Sequence, residues 1–370
     1  MNKTLIKDNL RILDSLRGFA AIYVLIHHCR WLLWEGYENG YLKHPETYSL
    51  FNKLQMYFFS CFKFGNEAVL FFFVLSGFVI HYSVSRRIEK DGHFNTRDYI
   101  IKRFRRIYPP LLIAIAVTFV LDTAGMKWQL PIYFSNTPYP SINQNIHPDL
   151  SFTTLLGNLF FVQKIYTPVW GTDGALWSLL YEWWFYMLYI PLLLLFRRNK
   201  YLVTAAVVLL WLLNLQFGAV LPVLVNKVLN LFIIWFAGLL LAEVLLSRSF
   251  SLKAAAAFLV LIIAGVAVVN FPLLGKEIIL TVAISIWLFI ILTTNWFNFL
   301  KRRIFEKLGA MSYTLYAVHM PIVCIISGFV MKAGKGNLPA HFLFIWPAII
   351  ISLAVSWVLH LVGEKPFTKK

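Results

Sequence analysis

Two ionisable side chains, Arg17 and His28, lie in the first long apolar segment of the chain, residues 15–34. They are eleven residues apart, which on an α-helix is a rise of about 16 Å and about 20° beyond three full turns, so both face one side. A titratable group inside a membrane segment is costly and therefore marks a candidate functional site. Because an imidazole exchanges protons near neutral pH, His28 is a candidate general base or nucleophile.

A carboxylate and a second histidine fall at a similar depth in other apolar segments. Glu182 lies about 12 Å into the segment 174–196, and His319 lies about eleven residues into the segment 308–330. At that depth Glu182 could meet His28, and a carboxylate that fixes a histidine tautomer is common in acid–base catalysis. Hydrogen bonding between membrane helices is the alternative interpretation of each residue.

Arginines cluster in the loop that follows the second apolar segment, 66–84. Arg103 and Arg106 share one helix side by their i,i+3 spacing, and arginine binds phosphate through two parallel hydrogen bonds. The pair is a candidate anion site, although charge that sets topology or contacts anionic lipid is an equally good interpretation. Within the second segment, Ser76 supplies a hydroxyl or a small-residue helix contact, and His81 is interpreted as structural.

The elements that must position these residues follow from the composition. The chain has 370 residues, 59% apolar and 14% charged, which is typical of a polytopic membrane protein and excludes a disordered chain or a disulfide-rich scaffold. The cysteines form no CxxC pair, so neither a disulfide framework nor a metal site is predicted. The sequence contains no GxxxxGK[ST] or GxGxxG loop for nucleotide binding.

Ten apolar windows are long enough to cross a bilayer, which needs about 20 residues. They lie at 15–34, 66–84, 107–124, 174–196, 201–219, 228–246, 254–270, 278–296, 308–330 and 341–362. We therefore predict an all-α membrane protein, a single polytopic bundle of about ten transmembrane helices. Residues 151–166 are too short and polar to span, and we predict an interfacial or re-entrant helix there.

The net charge of +17 is explained by its distribution between the two sides. In this topology 24 of the 34 Lys and Arg residues fall on the side of the termini and nine on the other. By the positive-inside rule both termini are cytoplasmic. The basic excess therefore sets the topology, and no nucleic-acid partner is predicted.

The chain is predicted to form one integral domain over residues 1–370, with no cleavable signal peptide and no appended soluble domain. Its longest outer segments are 35–65 and 125–173. The second contains the turn-rich stretch PYPSINQNIHPD, which is suited to contact with a partner from the solvent.

Five segments together resemble the acyltransferase 3 family of integral membrane acyltransferases. In chain order they are LDSLRGFAAIYVLIHH (13–28), FFFVLSGFVI (71–80), RFRRIYP (103–109), LWSLLYEWWFYML (176–188) and LGAMSYTLYAVHMP (308–321). Each motif alone is modestly specific, but five in the family's order, over nearly the whole chain, are a strong signal.

The resemblance implies transfer of an acyl group, usually acetyl, from cytoplasmic acyl-CoA to a hydroxyl beyond the membrane, with no permanently bound cofactor. The implied acceptors are sugars of surface or exported polysaccharides and glycolipids, and the implied location is the cell inner or plasma membrane. By motif position, His28 matches the family's essential histidine and Arg17 the arginine before it. Arg103 and Arg106 match the pair that holds the CoA donor. Supporting positions with less specific roles are Asp14, Ser76, Glu182 and His319.

Two questions stay open at this point. A transporter or flippase for a glycan precursor or small molecule would also need polar residues inside its helices, although the inverted repeats or paired broken spans typical of transporters are not found. Many relatives carry a further hydrolase-like domain outside the membrane. This chain shows none, so either direct acylation of the acceptor or cooperation with a separate extracytoplasmic protein is compatible with the sequence.

Overall fold

The computed structural model describes residues 3–246 and 272–368. Helices make up 80% of the structure, and no β-strand occurs within these two ranges. One isolated bridge joins Gln163 and Thr167. The all-α prediction is therefore confirmed.

Thirteen α-helices are found among the described residues. They are α1 (Lys3–Leu32), α2 (Leu50–Ser60), α3 (Gly65–Asp91), α4 (Thr96–Lys127), α5 (Pro140–Asn145), α6 (Phe152–Leu159), α7 (Trp177–Phe196), α8 (Lys200–Phe217), α9 (Val223–Leu246), α10 (Pro272–Thr293), α11 (Arg303–Ala333), α12 (Ile345–Gly363) and α13 (Lys365–Thr368). Short 3-10 helices lie at Pro45–Thr47, Pro131–Phe134, Gly174–Leu176, Gly218–Val220 and Asn298–Lys301, and Tyr37–Tyr41 is one turn of π-helix.

Eight of the described helical segments are long and apolar enough to cross a membrane. They are Leu50–Asp91, Thr96–Lys127, Gly174–Phe196, Lys200–Val220, Val223–Leu246, Gly275–Thr293, Arg303–Ala333 and Ile345–Phe367. Each matches one predicted window, which makes the chain a multi-pass membrane protein.

The two remaining windows have different outcomes. The window 15–34 falls mostly in α1, a helix of 30 residues, but α1 is not among the eight apolar spans. The window 254–270 lies outside the described residues. In the segment 151–166 only Phe152–Leu159 is helical, and eight residues rise about 12 Å, too little to cross a bilayer.

The chain divides into two compact units, and each is described by itself. The first contains Met1–Ser15, Val69–Arg103 and Tyr181–Arg303. The second contains Leu16–Ala68, Phe104–Leu180 and Ile304–Lys370. The single domain over 1–370 and the cytoplasmic location of both termini stay predictions.

In the first unit, α3 and α9 cross in backbone contact. A Cβ added to Gly77 would lie 1.9 Å from the carbonyl oxygen of Trp235, and one added to Gly238 would lie 1.8 Å from the carbonyl oxygen of Val74. Only glycine fits at both positions, so the backbones approach as closely as the small-residue contacts of membrane helices allow. The serine-glycine pair of the FFFVLSGF motif therefore has a packing role.

Candidate active site

In the second unit, two contacts hold α1 against α11. A Cβ at Gly18 would lie 2.8 Å from the backbone nitrogen of Gly309, so the helices touch at a glycine of each motif. Farther along, the Ser327 hydroxyl donates to the carbonyl oxygen of Leu32. His28 of α1 and His319 of α11 lie between these two contacts in the sequence of each helix.

The two histidines form a direct hydrogen bond. His28 Nδ1 lies 2.9 Å from His319 Nε2, and the two ring centroids are 5.0 Å apart. His319 is fully buried, and His28 is half-buried. The sequence placed both residues at similar depth, and the structure brings them together.

The position of each proton in the neutral pair follows from the other acceptors. His319 Nδ1 lies 3.1 Å from the carbonyl oxygen of Leu315 and 2.8 Å from that of Tyr316. A carbonyl oxygen can only accept, so His319 Nδ1 carries the proton and His319 Nε2 is an acceptor. His28 Nδ1 must then donate to it. The remaining nitrogen of the neutral ring, His28 Nε2, therefore carries the lone pair.

His27, next in the chain, has a different environment. Its Nδ1 lies 2.9 Å from the carbonyl oxygen of Phe62 and donates to it. A Cβ at Gly65 would lie 2.4 Å from the His27 ring, so the ring packs closely against the start of α3. His27 therefore fixes the loop before α3, and its ring contacts His28 edge-on at 5.2 Å between centroids.

The WSL segment contacts the helix turn that orients His319. The Ser178 hydroxyl lies 2.8 Å from the Tyr316 hydroxyl, and both side chains are buried. Since the carbonyl of Tyr316 also accepts from His319, this contact stabilises the backbone that fixes the histidine tautomer. Sequence reasoning missed Ser178 and Tyr316. Both lie inside the motif segments, but only the structure shows that the two segments meet.

Three of the sequence-predicted residues lie in one cluster of the first unit. Glu182 accepts a hydrogen bond from the hydroxyl of Tyr186, one helical turn away. The Arg103 guanidinium lies 5.5 Å from the centre of the Tyr186 ring and 5.6 Å from that of Tyr99, a cation–π arrangement. Ser76 accepts a hydrogen bond of 3.2 Å from the Trp235 indole.

Tyr186 is the residue at the centre of this first-unit cluster, and sequence reasoning missed it. Its i,i+4 spacing from Glu182 on a helix was the signal that could have found it.

Arg106, in the second unit, is half-buried and forms an ion pair with a buried carboxylate. Its guanidinium lies 2.6 Å from Glu364, which is 1% exposed, and 5.1 Å from the centre of the Tyr313 ring. The Thr314 hydroxyl donates to the other oxygen of Glu364 at 2.7 Å, and His360 Nδ1 lies 3.0 Å from it. The two arginines of the pair thus differ, because a carboxylate neutralises Arg106 whereas Arg103 lies on two aromatic rings.

The remaining predicted residues lie on α1. Arg17 is half-buried and belongs to the second unit, whereas Asp14 is exposed and belongs to the first. Glu182 and His28 belong to different units, so the contact between them stays a prediction.

Two acidic side chains buried in the second unit were not predicted. Asp122 of α4 accepts two hydrogen bonds of 2.7 Å, from the backbone nitrogen and the hydroxyl of Thr172. The next residue, Asp173, is fully buried. Burial raises the pKa of the Asp173 carboxyl well above its usual range, and the negative charge of Asp122 raises it further. The acid within the window 107–124 was the signal that could have found this pair.

The chain was compared with known protein families. The model of the acyltransferase 3 family, described as an acyltransferase domain, matches residues 10–361. Comparisons with curated proteins and with solved structures gave no match. Because the match covers nearly the whole chain, this protein belongs to the acyltransferase 3 family and is a multi-pass membrane acyltransferase.

Proposed function

We propose that the protein transfers an acetyl group from cytoplasmic acetyl-CoA, or another acyl-CoA, to a sugar hydroxyl of a surface or exported polysaccharide or glycolipid. One observation carries this proposal. The hydrogen bonds of the His28–His319 pair leave His28 Nε2 as a half-buried acceptor. A free imidazole lone pair in a site shielded from water is what removal of a proton from a sugar hydroxyl requires.

The proposed reaction has one transfer step. The acceptor hydroxyl gives its proton to His28 Nε2 while its oxygen attacks the thioester carbonyl carbon. An ester C–O bond forms, the C–S bond breaks, and the CoA thiolate leaves and then takes the proton from His28. Transient transfer of the acyl group to His28 Nε2 is the covalent variant of the same route, and the same lone pair serves it.

His319 acts through His28 and is a positioning residue. When His28 gains a proton it becomes a cation, and its Nδ1 proton is already shared with His319 Nε2 over 2.9 Å. The shared proton spreads the charge over two rings, which lowers the free-energy cost of a cation in an apolar environment. Glu182 is proposed to balance that charge as the second acid–base residue.

The donor is proposed to bind through Arg17, Arg103 and Arg106, with Asp14 and Ser76 in support. Arg103 is the strongest candidate, since its guanidinium lies on aromatic rings that orient it without neutralising it. Arg106 is already bound to Glu364, so its main contribution is to hold α4. Arg17 is about 16 Å of helix rise from His28, a span that an extended pantetheine arm partly covers.

The proposed location is the cell inner or plasma membrane, with the donor on the cytoplasmic side. The acceptor is proposed to approach from the opposite side, where the segments 35–65 and 125–173 are placed by the predicted topology. A separate extracytoplasmic protein that receives or presents the acyl group is compatible with this arrangement.

The test is acyl transfer by the purified full-length protein. With labelled acetyl-CoA and a membrane glycan fraction, His28→Ala should lower transfer by about a hundredfold to ten-thousandfold, the range of a lost general base. The matched control is His93→Ala, since His93 is exposed and bonds the nearby carbonyl oxygen of Asp91. Full activity of His28→Ala would refute the catalytic assignment. An inert donor with the wild-type protein would favour the transporter interpretation.

A further inference from the structure

The first unit contains a cavity that the proposed reaction does not use. Its volume is about 610 Å³, within the usual range of small-molecule sites. The cavity lies among the start of α1, the ends of α3, α7 and α9, and the start of α8. None of the three arginines proposed to bind the donor contributes to its lining. We call it the basic cavity.

Among residues 3–246 and 272–368, four cationic side chains line the basic cavity, against two acidic ones. The cations are Lys7, Arg86, Arg197 and Lys200, and the acids are Glu89 and Glu243. Arg86 bonds Glu89 at 2.7 Å, and Lys200 bonds Glu243. Within residues 3–246 and 272–368, Lys7 and Arg197 have no carboxylate partner. The described part of the lining thus has a net charge of +2, which is carried by Lys7 and Arg197.

The inner wall of the basic cavity is a fixed polar network. His81 and Glu243 are 2% and 5% exposed, and His81 Nε2 lies 2.9 Å from a Glu243 oxygen. His81 Nδ1 lies 3.0 Å from the Tyr189 hydroxyl. Because Glu243 also holds Lys200, the ammonium group is anchored at the cavity wall. A cation fixed before binding loses little conformational entropy when it meets an anion.

The other walls are apolar. Ile6, Leu193 and Phe196 are each 2% exposed and line the cavity beside the cations. An anion alone does not complement such walls, whereas a phosphate that bears an organic group does. The charge of +2 matches the charge of a phosphate monoester near neutral pH, which approaches −2.

We propose that the basic cavity binds a phosphate monoester, with Arg197 and Lys7 as the main contacts and Lys200 as a fixed third one. Arginine binds two phosphate oxygens at once through its planar fork, and lysine adds point charge. The phosphate is borne either by a membrane lipid headgroup or by a soluble nucleotide, since both have the same anionic group attached to an organic body.

The experiment measures binding to the full-length protein with two probes. The first is labelled adenosine monophosphate, added to the protein in detergent. The second is phosphatidic acid in nanodiscs, compared with nanodiscs of phosphatidylcholine alone. Loss of two charge-assisted contacts in the double variant Lys7→Gln/Arg197→Gln should weaken binding of at least one probe about tenfold or more. The probe that binds the wild-type protein identifies the source of the phosphate.

The matched control is Arg198→Gln. Arg198 is the next residue in the chain, equally charged and exposed, but it does not line the cavity. It should leave binding within about twofold, because an exposed charge outside the site contributes only weak screened attraction. The substituted side chains are exposed, so thermal unfolding should be unchanged. The proposal is overturned if neither probe binds, or if Arg198→Gln weakens binding as much as the double variant does. It is also overturned if Arg103→Gln abolishes binding while the double variant keeps it.

Discussion

Each of the two units contains a buried histidine network, and the two networks differ in what they leave available. In the first unit both ring nitrogens of His81 are used, by Glu243 and by the Tyr189 hydroxyl. In the second unit one nitrogen of His28 is bound to His319, and in the neutral pair the other carries a lone pair. A saturated histidine holds helices together, whereas a half-satisfied one can receive a proton.

Burial alone therefore does not separate a structural histidine from one proposed to be catalytic. His81 is more deeply buried than His28, and it has the carboxylate partner often taken as a mark of catalysis. Its partner is already shared with Lys200, so the charge of the cluster is balanced and no lone pair remains. What indicates chemistry is the atom that the surrounding hydrogen bonds leave unused.

Substitution of His319 tests the contrast between the two networks, and there we expect a large loss of activity. His319→Ala removes the acceptor that fixes the His28 tautomer, and kcat should fall about a hundredfold, within the usual contribution of acid–base groups. His319→Gln should recover about tenfold of that loss, because an amide oxygen can accept from His28 Nδ1. The KM for acyl-CoA should stay unchanged in both variants, which a purely structural defect would not produce. Equal activity of the Ala and Gln variants would contradict the tautomer argument.

The saturated network can be broken at Glu243. Glu243→Gln removes the negative charge that pairs with Lys200 and that bonds His81, and we expect it to lower the free energy of unfolding by about 3 kcal/mol, as for other broken buried pairs. Thermal unfolding in detergent measures this change. Glu89→Gln is the control, since its ion pair with Arg86 is exposed and worth under about 1 kcal/mol. A folded Glu243→Gln protein should keep its kcat. A large loss of kcat without a loss of stability would instead indicate that the catalytic residues lie in the first unit.

The two arginines of the RxxR pair extend the same contrast. Arg103→Gln should raise the KM for acyl-CoA about tenfold with little change in unfolding, because the lost group is available to phosphate. Arg106→Gln should mainly lower the unfolding temperature, since it leaves the buried Glu364 without its cation. Arg103→Gln should therefore mainly change the steady-state kinetics, whereas Arg106→Gln should mainly change thermal unfolding. A reversed pattern would assign the donor to Arg106.

The smallest effect is expected at Asp173. Its charged neighbour is another acid, Asp122, whereas Glu243 pairs with Lys200. Since the pKa of Asp173 is raised in the folded protein, its favourable contribution is present below the unfolded pKa of about 3.9 and is lost as pH rises through the folded pKa. Asp173→Asn should therefore flatten the pH dependence of stability above about pH 4, with a small change in unfolding temperature at pH 5. An unchanged pH dependence would contradict the shift.

Much of the fold could be predicted because the bilayer sets the length and polarity of a span. Eight of the ten windows correspond to apolar helices, and the family motifs lie on α1, α3, α4, α11 and at the start of α7. His28, His319 and Glu182 were found because ionisable groups are rare at that depth.

The partners of these residues could not be predicted, because they depend on contacts between distant parts of the chain. Arg106 and Glu364 are 258 residues apart, and nothing near Arg106 in the sequence indicates its neutralisation. The tautomer of His28 depends on two carbonyl groups one turn before His319, which no residue type encodes. For the same reason the structural role expected for His81 could be stated, but its partners could not.

The Arg106–Glu364 pair has a consequence for biogenesis. The ribosome adds Glu364 258 residues after Arg106, so α4 enters the membrane long before its counterion exists. Throughout that interval the arginine is a charge at the edge of an apolar helix that water, lipid phosphates or the insertion machinery must solvate. The second unit reaches its final arrangement only when the last helices arrive, and quality control in the membrane has until then to act on a guanidinium that lacks Glu364.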